Sequence, residues 1–207
     1  MNFNILLFED FETLDVFGPV EVIGMLKKLQ KESYDLLPNY KIGFYSKRGG
    51  IVASNQNVRV ETLPLSDISD IEEDGVLLIP GGFGTRKEVD DHEFIMHLKD
   101  LTEEARYVLT VCTGTALLAK TGLIKGIKAT TNKLSFDWVI SQDKDVIWIR
   151  KARWVKDGKF YTSSGISAGI DMTLGFVSDI MGSDVAKKAA WGMEYIWNSE
   201  KDDDPFC

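Results

Sequence analysis

Short apolar runs alternate with longer stretches of helical periodicity along almost all of the 207 residues, and this alternation constrains the fold most strongly. The runs at residues 3–8 and 75–79 are nearly continuous, as in strands that are covered on both faces. Apolar side chains at helical spacing follow at residues 18–29 and 92–101. Such alternation is typical of βαβ units, so the sequence predicts an α/β fold around a mostly parallel central sheet.

The other elements follow from turn residues and periodicity. Gly18-Pro19 opens the first helix, because proline is tolerated in a first turn. No segment has the composition of a linker, so residues 1–198 are predicted to form a single domain, followed by a solvated acidic tail at residues 199–207. The remaining predicted elements are strands at 40–46, 107–111 and 146–149, hairpins at 49–60 and 153–161, and helices at 115–121, 134–140, 166–181 and 184–195.

The charge and the cysteine content exclude several classes of protein. The chain has 24 Lys and Arg against 32 Asp and Glu, a net charge of −8, and lacks the basic stripe of a nucleic-acid binder. No segment approaches the roughly 20 apolar residues of a membrane span, and the N-terminus has no signal-peptide pattern. Cys112 and Cys207 make no disulfide framework. These features favour a cytoplasmic protein with a small-molecule substrate and no nucleic-acid or membrane partner.

Cys112 is the strongest candidate for a reactive residue. It lies between a strand that ends at Val111 and a helix that begins near Thr115, and Gly114 allows a tight turn there. This is the pattern of a nucleophile elbow with cysteine in place of serine. Ligands of open α/β sheets bind at the carboxyl ends of strands, and the amide groups at a helix N-terminus stabilise a thiolate. The alternative is a small buried apolar residue, the commoner role of a lone cysteine.

The histidines do not provide the base that a nucleophilic cysteine usually needs. The chain has only His92 and His97, which precede Cys112 and lie on different faces of one predicted helix. Both are predicted to be surface residues. No cluster of Cys and His has the spacing of metal ligands, and no phosphate-binding glycine motif is present, so neither a metal nor a cofactor is expected.

Two further turns lie at the same predicted edge of the sheet as Cys112. Asp15 follows the first strand and is either a general acid or base or the cap of the helix that opens at Gly18. Gly81 and Gly82 follow the strand at 75–79, and their N–H groups can bind a developing anion. The alternative for the two glycines is a plain tight turn.

Five segments, taken together and in order, resemble the ThiJ/PfpI superfamily. They are LDVFGPVEV at 14–22, IPGG at 79–82, VCTG at 111–114, ATT at 129–131 and SGISAGID at 164–171. The resemblance implies a class I glutamine amidotransferase-like, flavodoxin-like three-layer α/β/α sandwich. The Cys-Thr-Gly and Leu-Asp segments most resemble the isonitrile hydratase branch and the sensor domains of AraC-type regulators.

The resemblance also implies roles for individual residues and a homodimeric assembly. Cys112 is implied to be the nucleophile, Asp15 the general acid and base, and Thr113 a neighbour that contributes its hydroxyl or its N–H group. Asn132 stands where the protease and amidase branches carry a histidine. The substrate-binding and oxyanion residues implied by the resemblance are Gly81, Gly82, Gly165, Ile166 and Ser167.

These residues leave three functions open. The first is a hydro-lyase that adds water to an isonitrile to give an N-substituted formamide, with Cys112 and Asp15 carrying the reaction. The second is an intracellular cysteine amidase or peptidase, which the missing histidine disfavours. The third is a non-enzymatic sensor of small molecules or oxidants, in which Cys112 is a reactive thiol.

Overall fold

The computed structural model describes residues 1–32, 40–68, 71 and 75–207, and an eight-stranded sheet lies at the centre of this part of the chain. A separate two-stranded sheet joins β7 (Lys128–Ala129) to β8 (Ile147–Trp148). The strands of the central sheet are β1 (Asn2–Leu6), β2 (Lys41–Ser46), β3 (Gly50–Ala53), β4 (Arg59–Pro64), β5 (Gly75–Ile79), β6 (Tyr107–Thr110), β9 (Trp154–Asp157) and β10 (Phe160–Ser163).

The order of the central strands is β3-β4-β2-β1-β5-β6-β10-β9. Pairing is parallel from β4 through to β10, while the edge strands β3 and β9 pair in antiparallel fashion. All five residues of β5 are buried, as the nearly continuous apolar run predicts for a strand covered on both faces. The strand order reverses between β1 and β5, and ligands of such sheets bind at this switch point.

In the part of the chain that the structure describes, seven α-helices flank the sheet: α1 (Thr13–Glu32), α2 (Thr85–Glu88), α3 (His92–Glu104), α4 (Gly114–Lys120), α5 (Phe136–Ile140), α6 (Ala168–Met181) and α7 (Ser183–Gly192). Helices α1, α6 and α7 pack together, as do α2, α3 and α4. From β1 the chain crosses to β2 on one side, and from β5 it crosses to β6 on the other side. Because such crossovers are right-handed, the two groups of helices lie on opposite faces of the sheet. The predicted three-layer α/β/α sandwich with a mostly parallel sheet is therefore confirmed. None of the described helices is long and apolar enough to cross a membrane.

The predicted start of the first helix is wrong. Helix α1 begins at Thr13, so Gly18 is an interior residue and Pro19 lies in the second turn. A proline at that position has no N–H group to donate to the carbonyl of Asp15. The helix tolerates this loss because it is long and tightly packed, with Val16, Val22 and other side chains buried in the core.

Other predicted bounds differ from the structure at the element ends. The helix predicted at 184–195 ends at Gly192, and the one predicted from residue 166 begins at Ala168. The strand predicted at 146–149 exists as β8 but lies outside the central sheet. Both predicted hairpins are present, as β3 with β4 and as β9 with β10.

The prediction of a solvated acidic tail is wrong at Asp204, whose side chain is fully buried. Its Oδ2 lies 3.7 Å from Lys133 Nζ, and its Oδ1 lies 3.8 Å from Arg153 Nη1. The N–H of Arg153 also donates to the carbonyl of Lys201, at 2.8 Å. Buried cations need a nearby carboxylate, and the tail supplies one. The division of the chain at residue 198 stays a prediction.

Candidate active site

The turns that follow β1, β5 and β6 meet at the switch point of the sheet. Phe11, in the turn after β1, forms isolated β-bridges with Ser54 and with Gly82. The N–H of Glu12 donates to the carbonyl of Gly81, at 2.8 Å. These contacts join the turns after β1 and β5, and the N–H of Gly82, which donates to Thr113 Oγ1, joins them to the turn after β6. Asp15, Gly81 and Cys112 therefore lie in one region, as the sequence predicted.

Cys112 forms the predicted elbow between β6 and α4. Its φ is +56°, a left-handed conformation that residues other than glycine adopt at a cost of about 1–3 kcal/mol. Its N–H donates to the carbonyl of Ser164, at 3.1 Å. Gly114 is needed because any side chain there would collide with the carbonyl oxygen of Ile79, rather than because its backbone is left-handed. The backbone therefore aims Cys112 from the end of β6 into the site.

Asp15 lies in the first turn of α1, and its side chain is fully buried. Its Oδ2 accepts a hydrogen bond from Gly81 N, at 2.9 Å, whereas Oδ1 has no partner of standard geometry among the described residues. The pKa of Asp15 is raised to about 8, chiefly by burial; the Gly81 N–H lowers it, and the smaller effects of the Glu12 charge and the Cys112 thiol raise and lower it respectively. The helix-cap interpretation of Asp15 is therefore wrong.

The pKa of Cys112 is raised, and this corrects the expectation that the helix N-terminus favours a thiolate. Burial is the main cause, followed by the negative charge of Asp15. The N–H groups of Thr113 and Ile166 and the side chain of Asn132 are polar neighbours of the sulfur that lower the pKa, but by less than burial raises it. At neutral pH the site therefore favours a Cys112 thiol beside a protonated Asp15. Ionisation of either group makes ionisation of the other less favourable.

The structure also corrects the prediction that the N–H groups of Gly81 and Gly82 bind an anion. The N–H of Gly81 donates to Asp15, and that of Gly82 donates to Thr113 Oγ1, at 3.1 Å. Thr113 Oγ1 in turn lies 3.3 Å from the carbonyl of Gly82 and accepts from Thr85 Oγ1, at 3.1 Å. The Thr113 hydroxyl thus fixes the glycine turn, and the Thr113 N–H is one of the polar groups that lower the pKa of Cys112.

A cavity of about 170 Å³ opens onto Cys112. Ile166 lines it as predicted, with a φ of +44°, whereas Gly165 and Ser167 do not. Two larger cavities of about 390 Å³ each lie elsewhere, and Cys112 lines neither of them. The residues that line the cavity at Cys112 are Glu12, Asn55, Gly82, Phe83, Arg86, Cys112, Thr113, Asn132, Leu134, Ser135 and Ile166.

The histidines lie outside this cavity. His92 and His97 are exposed on α3, as predicted, and neither lines the site. Asn132, noted in the sequence only for the histidine that it replaces, is a polar neighbour of the thiol. Arg86 was not predicted at all, since nothing in the sequence places α2 over the elbow. Within the described residues, no group of three or more His, Cys, Asp or Glu is placed to hold a metal ion.

The fold and the site define an α/β sandwich with a cysteine elbow at the switch point of its sheet and a buried carboxyl beside the thiol. The chain belongs to the DJ-1/PfpI family, which it matches over residues 2–179. An isonitrile hydratase of Pseudomonas putida is 30% identical over 192 residues, which are 92% of this chain and 76% of that protein.

Solved structures have the same fold. A THiJ/PfpI family protein from Pseudomonas syringae has a TM-score of 0.80 at 26% identity, covering 94% of this chain and 74% of that one. Drosophila melanogaster DJ-1beta has a TM-score of 0.75 at 18% identity, covering 95% of this chain and 98% of that one. The predicted superfamily is therefore confirmed.

Proposed function

We propose that this protein is an isonitrile hydratase, in which Cys112 is the nucleophile and Asp15 the general acid and base. The observation that carries the proposal is the buried Asp15 carboxyl behind the Cys112 thiol, which itself lines a cavity of about 170 Å³. A pKa of about 8 lets one carboxyl both accept and donate a proton near neutral pH. The isonitrile hydratase of Pseudomonas putida, 30% identical to this chain, supports the choice of reaction.

The first step adds the thiol across the terminal carbon of the isonitrile. The sulfur of Cys112 bonds to that carbon while protonated Asp15 gives its proton to the same carbon. The thiol proton then passes to the Asp15 carboxylate, which restores the protonated acid. The product is a thioimidate, in which carbon is bonded to sulfur and hydrogen and doubly bonded to nitrogen.

Water completes the reaction without a change of oxidation state in the protein. The water oxygen bonds to the thioimidate carbon, Asp15 accepts a proton from it, and the proton held by Asp15 goes to the nitrogen. The carbon–sulfur bond then breaks with its electron pair going to sulfur, and the hydroxyl proton passes through Asp15 to the thiol. The sum is one isonitrile and one water converted to one N-substituted formamide.

The mouth of the cavity suits a small alkyl substituent on the isonitrile. Phe83, Leu134 and Ile166 line it and expose 72%, 99% and 40% of their surface. Covering these side chains with an alkyl group removes apolar surface from water, at about 25 cal/mol per Å². We therefore infer a preference for isonitriles with a short linear or cyclic alkyl group over an isonitrile without an alkyl substituent.

The test is formamide production from a panel of alkyl isonitriles, measured by liquid chromatography. Wild type is expected to turn over at least one member, while Cys112→Ala and Asp15→Asn lose at least 100-fold in kcat/KM, as is typical when a general acid and base is removed. Asp10→Asn is the matched control, because Asp10 is an exposed carboxylate in the turn that precedes α1. Absence of turnover by wild type across the panel would overturn the proposal.

A further inference from the structure

The ATT segment at 129–131 has no part in the proposed reaction, yet its last residue contacts the backbone of the elbow. We propose that Thr131 is a positioning residue: its hydroxyl holds the backbone of Cys112 in the left-handed conformation and thereby holds the thiol at the cavity. The effect on catalysis rests on the proposed function, whereas the effect on the backbone does not.

The contact is a buried hydrogen bond from a side chain to the main chain. Thr131 Oγ1 donates to the carbonyl oxygen of Cys112, at 2.7 Å, and Thr131 is fully buried. In an α-helical pattern this carbonyl would accept from the N–H four residues later, that of Ala116. The N–H of Ala116 donates instead to the carbonyl of Thr113, at 2.9 Å. Thr131 therefore supplies the hydrogen bond that α4 does not.

Both backbone groups of Cys112 are thus bonded to residues outside the elbow. Its N–H donates to the carbonyl of Ser164, at 3.1 Å, and its carbonyl accepts from Thr131. A strained conformation such as the φ of +56° persists only where the surrounding structure enforces it. The contact to Ser164 is made by main chain, which any residue there provides, whereas the contact to Thr131 depends on one hydroxyl group.

The segment that carries Thr131 is itself fixed on both sides. The N–H of Thr130 donates to Thr162 Oγ1 on β10, at 2.9 Å. Lys133 Nζ donates to Thr130 Oγ1, at 2.9 Å, and to the carbonyl of Ala152, at 2.7 Å. The donor hydroxyl therefore belongs to a braced segment, which can resist relaxation of the elbow.

The conformation of the elbow matters for the reaction because it sets where the thiol meets the acid. A Cβ atom on Gly81 would lie 2.9 Å from Asp15 Oδ2 and 2.6 Å from Thr113 N, so the carboxyl and the elbow lie on the same side of the glycine turn. Thr131 is not one of the residues that line the cavity. Loss of its hydroxyl is therefore expected to displace the sulfur without removing a group that binds substrate.

The first measurement is thermal unfolding of variants at positions 112 and 131. Glycine tolerates the left-handed conformation and alanine does not, so the difference in melting temperature between Cys112→Gly and Cys112→Ala reports the strain. This difference is expected to fall by at least half in a Thr131→Val background, because valine has the same shape but no hydroxyl and the elbow can relax. Thr173→Val is the matched control and is expected to leave the difference unchanged. Thr173 is also fully buried and donates to a carbonyl, that of Gly169, at 2.7 Å.

The second measurement is isonitrile turnover with the native Cys112. Thr131→Val is expected to lower kcat about tenfold, the factor that one hydrogen bond is worth at most, and to leave KM within about twofold of wild type. Thr131→Ser keeps the hydroxyl and is expected to restore kcat to within about threefold. Thr173→Val is expected to keep both constants within about twofold.

The inference is overturned by a difference between Cys112→Gly and Cys112→Ala that is the same with threonine and with valine at position 131, or that is absent in both. A wild-type kcat in Thr131→Val, or a loss that Thr131→Ser does not restore, would also contradict it. If Thr131→Val does not fold, Thr131→Ala takes its place in both measurements. Absent isonitrile turnover in wild type overturns the proposed function alone, and thermal unfolding then decides whether Thr131 holds the elbow.

Discussion

Replacing Asp15 with asparagine is expected to stabilise the fold increasingly as the pH rises. The variant keeps the shape of the side chain and an acceptor for the Gly81 N–H, but it cannot ionise. In wild type the folded pKa of Asp15 is about 8 against an ordinary value of 3.8. Between these two values the unfolded chain loses the proton that the folded protein keeps, so the free energy of unfolding of wild type falls as the pH rises.

The size of this effect follows from the distance between the two pKa values. Each pH unit inside the window changes the free energy of unfolding by about 1.4 kcal/mol. The difference between variant and wild type is therefore expected to grow by up to roughly 3 kcal/mol from pH 5 to pH 7. Well below the ordinary pKa of 3.8 the carboxyl is protonated in both states, and the pH-dependent difference vanishes. The raised pKa of Cys112 keeps the thiol protonated over this range, so it does not contribute.

Urea unfolding followed by tryptophan fluorescence at pH 5, 6 and 7 measures the difference directly. Asp100→Asn, on the exposed face of α3, is the control and is expected to follow wild type at every pH. The reasoning is refuted if the gap between Asp15→Asn and wild type is the same at pH 5 and pH 7. That result would mean that water or a rearranged side chain solvates the carboxyl.

Two further predictions concern backbone strain and the C-terminal segment. Cys112→Gly is expected to be about 1 kcal/mol more stable than Cys112→Ala in thermal unfolding, because glycine adopts the φ of +56° without strain. Equal stability of the two variants would show that the left-handed backbone at this position is not strained. Asp204→Ala is expected to cost about 2–3 kcal/mol in urea unfolding, because it leaves Lys133 without a buried carboxylate partner, whereas Arg153 keeps its hydrogen bond to the buried Asp171. The exposed Asp202→Ala is its control, and equal losses in both would show that Asp204 has no special role.

The sheet and its switch point could be predicted because they depend on local patterns. The apolar run at β5 and the strand-to-helix junction at Cys112 each specify an element within a few residues. Once parallel pairing is inferred, the carboxyl ends of β1, β5 and β6 must share an edge. This is why Asp15, Gly81 and Cys112 were grouped correctly before any distance was known.

The details that failed depend on contacts between residues far apart in sequence. Pro19 indicated a helix start, but the bridges of Phe11 to Ser54 and Gly82 fix the chain so that α1 begins earlier. The use of the Gly81 N–H by Asp15 joins residues 66 positions apart. Asp204 is buried for the same reason, since Lys133 and Arg153 approach it only in the folded chain. No local pattern contains this information.

Two residues that are proposed to carry the reaction each impose a local cost on the fold. Cys112 has a left-handed backbone, and Asp15 is a buried acid whose ionisation opposes folding. Neither feature is required by the sheet, which would accept a glycine at the elbow and an apolar side chain in α1. Local costs of this kind persist where the surrounding structure enforces them, and they cluster at functional sites. The sandwich holds both features at its switch point, and in the proposed reaction the buried Asp15 carboxyl takes the place of a histidine base.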